Sequence, residues 1–133
     1  MNRKERILKF GSPLFNIKNV ALGVGGQDVA DFEQISSARK YLPFNFLQVT
    51  NNGEDEITIY FDGSTSESKV IPSGTIMTFE NIWFRRIVYK NTGSTNISAN
   101  KIEFTAQVLP MSDEIARTRG IPIIQKIKLL FGV

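Results

Sequence analysis

The stretch Phe44-Asn-Phe-Leu-Gln-Val-Thr-Asn-Asn-Gly-Glu-Asp-Glu-Ile-Thr-Ile-Tyr-Phe-Asp-Gly63 decides the fold class. Phe44 to Thr50 reads as a strand, with Phe44 and Phe46 facing opposite to Leu47 and Val49. Asn51-Asn52-Gly53 then supplies residues that tolerate the positive φ of a hairpin turn. From Glu56 to Phe61 the chain alternates again. Ile57, Ile59 and Phe61 point inward, Glu56, Thr58 and Tyr60 outward, and Asp62-Gly63 turns the chain once more.

The same grammar continues on both sides. Lys69 to Ile71 and Thr75 to Phe79 are two short strands around Pro72-Ser73-Gly74, a type I turn sequence. Ile82 to Lys90 is a further strand whose faces are both mixed, because Arg85 and Arg86 interrupt the apolar positions. Asn91-Thr92-Gly93-Ser94-Thr95-Asn96 is a turn-rich loop. Ile97 to Val108 places Ile102, Phe104, Ala106 and Val108 inward and Lys101, Glu103, Thr105 and Gln107 outward, as in an antiparallel sheet with one wet face. Upstream, Leu14 to Val24 is a strand with Phe15 and Ile17 on one face, broken at Gly25-Gly26. Residues 27 to 43 sustain no apolar face and read as a loop with one helical turn. The expectation is a mainly β chain, an antiparallel β-sandwich of jelly-roll type with short terminal helices. An arm or short helix spans 1–13, the sandwich 14–110 and a helical tail 111–133.

Composition narrows the chemistry. The 133 residues suit one domain. The chain has no Cys and no His, which excludes disulfides and thiolate metal sites and removes the commonest general base and zinc ligand. Ten Phe against one Trp and three Tyr suit a pleated core. No apolar run approaches the roughly 20 residues of a membrane span, and no apolar stretch of a signal peptide follows the N-terminal Met-Asn-Arg-Lys-Glu-Arg. The reading is a soluble, unexported protein without cofactors.

The net charge of +3 is too small to argue for nucleic acid, but it is unevenly placed. Arg3, Lys4, Arg6 and Lys9 stand against Glu5 at the N-terminus. Arg117, Arg119, Lys126 and Lys128 stand against Asp113 and Glu114 at the C-terminus, so the body between is acidic. Basic ends either reach toward an anionic surface or are simply solvated. Residues 1 to 10 form a short helix, with Ile7, Leu8 and Phe10 apolar and Gly11-Ser12-Pro13 as its stop, or an extended arm. After Ser112, an N-cap, comes a short helix to Arg119. Pro122 then opens a second, in which Ile123, Ile124, Ile127, Leu130 and Phe131 recur at helical spacing and Gln125, Lys126 and Lys128 form the polar side. That helix docks on its own domain, on a neighbouring subunit, or on an anionic membrane.

Other clusters carry less. Glu54, Asp55 and Glu56 are adjacent acids in a turn, where they repel and stay solvated, and their spacing with Asp62 does not match an EF-hand loop. Gly23-Val24-Gly25-Gly26 lacks the further Gly and βαβ context of a dinucleotide site. Tyr60, Trp83, Arg85 and Arg86 are the side chains suited to stacking on a sugar or base. The structural alternative is that Trp83 is buried, with one Arg at a strand end and the other on a solvent face.

The segments Phe46-Leu-Gln-Val-Thr-Asn-Asn-Gly53, Ile57-Thr-Ile-Tyr-Phe-Asp-Gly-Ser64, Ile71-Pro-Ser-Gly74 and Ile87-Val-Tyr-Lys-Asn-Thr-Gly93 resemble small virion proteins of bacterial and archaeal viruses. The resemblance covers about half of the chain and lies in turn chemistry. It implies a β-sandwich or jelly-roll subunit of a capsid, decoration layer, tail or spike, assembled in the host cytoplasm into the virion, with no catalytic residues. Its partners would be copies of itself and neighbouring virion proteins, met through Arg3, Lys4, Arg6 and Phe10 and through the tail residues Ile123, Ile124, Lys126, Ile127, Lys128, Leu130 and Phe131. The second hypothesis is a module that binds a glycan or host receptor through Tyr60, Trp83, Arg85 and Arg86.

Overall fold

The computed structural model describes residues 2–62 and 68–110. One helix, α1 (Arg3–Phe10), precedes eight strands: β1 (Phe15–Lys18), β2 (Gln27–Asp31), β3 (Phe44–Asn51), β4 (Ile57–Phe61), β5 (Ser68–Ile71), β6 (Thr75–Phe84), β7 (Arg86–Asn91) and β8 (Ile102–Gln107). They form two four-stranded antiparallel sheets, in the order β1-β8-β3-β6 and β2-β7-β4-β5. The pairs β1·β8, β2·β7, β3·β6 and β4·β5 are nested, each enclosing the next. Lateral pairs β3·β8 and β4·β7 close the roll. A long antiparallel ribbon folded over in this way is the eight-stranded jelly roll.

The core lies between the sheets and is filled by the period-2 positions that alternation predicts. Ile57, Ile59 and Phe61 of β4 and Ile102, Phe104 and Ala106 of β8 are buried, and Val108 follows them inward. Tyr89 of one sheet meets Phe104 of the other at 4.8 Å between ring centroids. At the opposite end Phe32, Phe44, Phe61, Phe79 and Phe84 join in edge-to-face contacts of 5.3–6.2 Å. Each of the buried four, Phe79 being only partly buried, contributes about 1.5–3 kcal/mol.

Five local expectations change. Residues 27 to 43 contain β2 as well as two 3-10 turns, Phe32–Gln34 and Arg39–Tyr41. β2 carries no apolar stripe because it is an edge strand in which Ala30 alone is buried. Phe44 lies in the core beside Leu47 and Val49, since a register shift between Phe44 and Phe46 on pairing with β6 breaks the alternation. Ile82 to Lys90 is not one strand. β6 runs on to Phe84 in one sheet, and the chain crosses at Arg85 to start β7 in the other. The turn Pro72-Ser73-Gly74 is likewise a crossing, joining β5 and β6 of different sheets, with Gly74 at φ 78°. The first strand is shorter than predicted: β1 ends at Lys18, and Leu22 makes only an isolated bridge to Ile97.

The N-terminal segment is helical. Asn2 caps α1 by accepting from Glu5 N–H at 2.8 Å while Glu5 Oε1 accepts from Asn2 N–H, a capping box. Gly11, at φ 79°, ends it, and a Cβ there would approach Val108 O to 2.8 Å. Ser12 N–H donates to Val108 O and Ser12 Oγ accepts from Val108 N–H, so α1 is moored to the end of β8. The predicted helices of the tail, 111–133, lie outside the described residues.

Candidate interaction surfaces

Apolar and aromatic side chains make up the core between the sheets, and the polar, charged and exposed apolar groups of the described residues lie outside it. The most ordered exterior feature is the end of the roll where β3 and β7 stop. Each strand finishes on a buried Asn followed two residues later by Gly. Asn51 Oδ1 accepts from Gly53 N–H at 2.9 Å, and its Nδ2 donates to Asp55 O and Ile71 O. Asn91 repeats the arrangement: Oδ1 accepts from Gly93 N–H at 3.0 Å, and Nδ2 donates to Leu22 O and Thr95 O. A third buried Asn, Asn19, accepts from Lys101 N–H and Ile102 N–H and donates to Val20 O and Ser98 O. Among the described residues no buried side-chain polar atom lacks a partner.

Glu54 is exposed and Asp55 and Glu56 half-exposed, as expected of solvated acids, but all three also accept hydrogen bonds from the second loop. Glu54 accepts from Ser98 N–H and Ser98 Oγ. Asp55 Oδ2 accepts from Ser94 N–H at 2.8 Å and Thr95 N–H at 2.9 Å, and its Oδ1 from Glu56 N–H. Thr92 Oγ1 donates to Glu56 Oε2. The hydroxyl and N–H of Ser98 hold the Glu54 carboxyl below its ordinary value. The N–H groups of Glu56 and Ser94 do the same for Asp55. Sequence reasoning missed this clasp, although the repeated Asn-x-Gly at residues 51–53 and 91–93 was its visible trace. Among the described residues no group of acidic side chains is arranged to hold a metal ion.

The four side chains proposed for ligand contact are divided between surfaces. Strand register sets Val29, Val88, Tyr60 and Ser68 in one row across β2-β7-β4-β5. Arg86 projects from the same outer face two residues before Val88, so Tyr60 and Arg86 are diagonal neighbours. Val29 and Val70, 41% and 49% exposed, widen this apolar face, and at its edge Arg86 stands directly opposite Asp31 across the β2·β7 pair. Trp83 belongs to β6 in the other sheet, next to a register irregularity where Asn81 takes φ 72°, and is partly exposed. Arg85 occupies the crossing between sheets. Its Nη1 lies 3.6 Å from Glu33 Oε2 with both side chains well exposed, a pair worth about 0–1 kcal/mol. The corner itself is held by Asp62, at φ 52°, whose Oδ1 accepts from both Arg85 N–H and Arg86 N–H.

The N-terminal arm presents the other predicted contacts. Arg3, Lys4 and Arg6 are exposed on α1, which buries no residue fully; Ile7 alone of the helix packs on the core. Phe10 is 67% exposed, with Lys9 Nζ 5.7 Å from its ring centroid. Ile123, Ile124, Lys126, Ile127, Lys128, Leu130 and Phe131 fall outside the described residues. Among the described residues no helix is long and apolar enough to cross a membrane. Compared with known families and curated proteins, the sequence matches no family model and no curated protein.

Proposed function

We propose that this chain is a non-enzymatic structural subunit of a virion, from the capsid, a decoration layer, or a tail or spike. In this reading it assembles with copies of itself and neighbouring virion proteins through its jelly roll and its basic ends. The observation that carries the reading is the filled roll. Viral coat and lectin domains share this architecture, and here the inward positions hold apolar side chains, while Phe10 and Leu14 at the basic N-terminal arm and Val29 and Val70 on one sheet face are exposed, as are Val20, Val24 and Ile76 elsewhere. A contribution of the tail to subunit or anionic membrane contact belongs to the same proposal, and avidity from many copies would make a short helix sufficient.

The test is the native mass of the purified full chain by light scattering, with electron microscopy of any particle. A closed oligomer or larger assembly is expected, lost on deleting residues 121–133 while the β signal in circular dichroism persists. A full-length chain that stays monomeric at high concentration sinks the proposal.

One observation favours a second reading, recognition of a glycan or host receptor. Tyr60 and Arg86 share an exposed sheet face with an apolar floor, the pairing that stacks on and hydrogen-bonds to a sugar. A glycan array on which the chain gives signals removed by Tyr60→Ala and Arg86→Ala would support it; a blank array removes it.

A further inference from the structure

The chain contains a single Asn-Gly pair, Asn52-Gly53, and it lies inside the clasp. Asn is a thermally labile side chain, and before Gly its lability is greatest because no Cβ hinders attack by the following nitrogen. In that reaction the Gly53 nitrogen, its proton passed to solvent base, bonds to the side-chain carbonyl carbon of Asn52. The bond from that carbon to the amide nitrogen breaks and ammonia leaves. Water then opens the cyclic imide at either carbonyl, giving aspartate or isoaspartate. One water is consumed and one ammonia released, and no other reactant is needed.

Asn52 is exposed, but its would-be nucleophile is not free. Gly53 is buried, its N–H donates to Asn51 Oδ1 at 2.9 Å, and its C=O accepts from Ser73 Oγ. Asn51 cannot turn away, since Nδ2 is committed to Asp55 O and Ile71 O. Asn52 N–H in turn donates to Lys101 O at 2.9 Å. A Cβ built on Gly53 would meet Ile97 Cγ2 at 2.9 Å, so the peptide has little room to swing toward the Asn52 side chain. The attacking nitrogen is therefore both proton-bound and immobilised.

We infer that Asn52 is a site of spontaneous deamidation that the closed clasp holds off, so that the modification occurs through opening of this end of the roll. Its product adds a negative charge beside Glu54, Asp55 and Glu56, and the isoaspartate form lengthens the backbone by one atom within the Asn51 turn. Deamidation thus marks molecules whose clasp has opened and hinders its re-closure.

The test is peptide mapping by mass spectrometry with isoaspartate detection, on the full chain incubated at mildly alkaline pH. Because reaction through an open state scales with its population, the native chain should deamidate at Asn52 at least about tenfold more slowly than the same chain unfolded in urea. Asp55→Ala, which removes the acceptor for Ser94 and Thr95 N–H, should raise the native rate severalfold. Where that variant does not fold, wild-type protein in urea below its unfolding transition serves instead, and its rate should climb while circular dichroism stays native. Equal rates in native and unfolded chains, or a native rate unaffected by both perturbations, overturn the inference.

Discussion

Gly93 and Asp55 compete for one space: a Cβ on Gly93 would overlap the Asp55 carboxyl carbon. The carboxylate sits over the glycine because Ser94 and Thr95 N–H groups draw it there. Gly93→Ala must push Asp55 off those donors, and we expect a loss of about 1–3 kcal/mol in urea unfolding. In an Asp55→Ala background most of that loss should disappear, as the coupling of a double-mutant cycle. An undiminished cost there would mean the glycine is needed for another reason.

The two buried asparagines predict a second pair of effects. Asn51→Ala and Asn91→Ala each remove the partner of one N–H and two carbonyls, at about 1–3 kcal/mol for each buried group left unpaired, and less for Asp55 O and Thr95 O, whose bonds are only part-buried. Asn51→Asp should be no milder, because it turns an acceptor toward Asp55 O and Ile71 O, which need a donor. Chemical denaturation midpoints decide this. A neutral Asn51→Asp would show that Nδ2 is dispensable.

Acid should loosen the clasp. The folded-state values of Glu54 and Asp55 lie below their ordinary 4.5 and 3.8. Both carboxylates therefore stabilise the fold fully above those ordinary values, and the contribution is lost as pH falls through the depressed folded-state values. Melting temperature should be flat near neutrality and drop in that acid window, with a smaller drop in Glu54→Gln and Asp55→Asn. A wild-type curve that keeps its neutral-pH value throughout would be inconsistent with these bonds.

The register shift in β3 separates two neighbouring aromatics. Phe44→Ala should cost about 3–5 kcal/mol and Phe46→Ala clearly less, since Phe44 is in the core and Phe46 is half-buried on the outer face. Equal costs would place Phe46 inward with Phe44, as strict alternation without the register shift would have it.

These residues also show what the sequence could and could not reveal. β8 was legible because its buried and wetter positions alternate without interruption, and β4 because Ile57, Ile59 and Phe61 keep the period even though Thr58, expected outward and wet, is buried as well. β2 was not, because a short edge strand with Val29 on the outer face has no stripe to read. The corner at Arg85 was hidden because β-propensity runs unbroken across it, while the crossing is made by Asp62, more than twenty positions upstream. Likewise the roles of Glu54, Asp55 and Glu56 depend on donors some forty residues away, and adjacency in sequence reports only their mutual repulsion. Of the ligand-contact set, Tyr60 and Arg86 meet through the register of β4 and β7, and Trp83 is carried to the other sheet.

Nesting of the strand pairs has a kinetic consequence. Loop-closure entropy favours zipping the ribbon from its inner pair, β4·β5, outward, and its outermost pair joins Phe15 to Ala106. Each later pair closes a longer loop, so the roll belongs with topologies of high contact order that fold in about milliseconds to seconds. β1 and β8 are also the strands that carry α1 and lead into the C-terminal segment. On that order β1 pairs with β8 last, and α1, moored to Val108 at the end of β8, is placed with them; an assembly contact made through α1 would then form only after the rest of the roll.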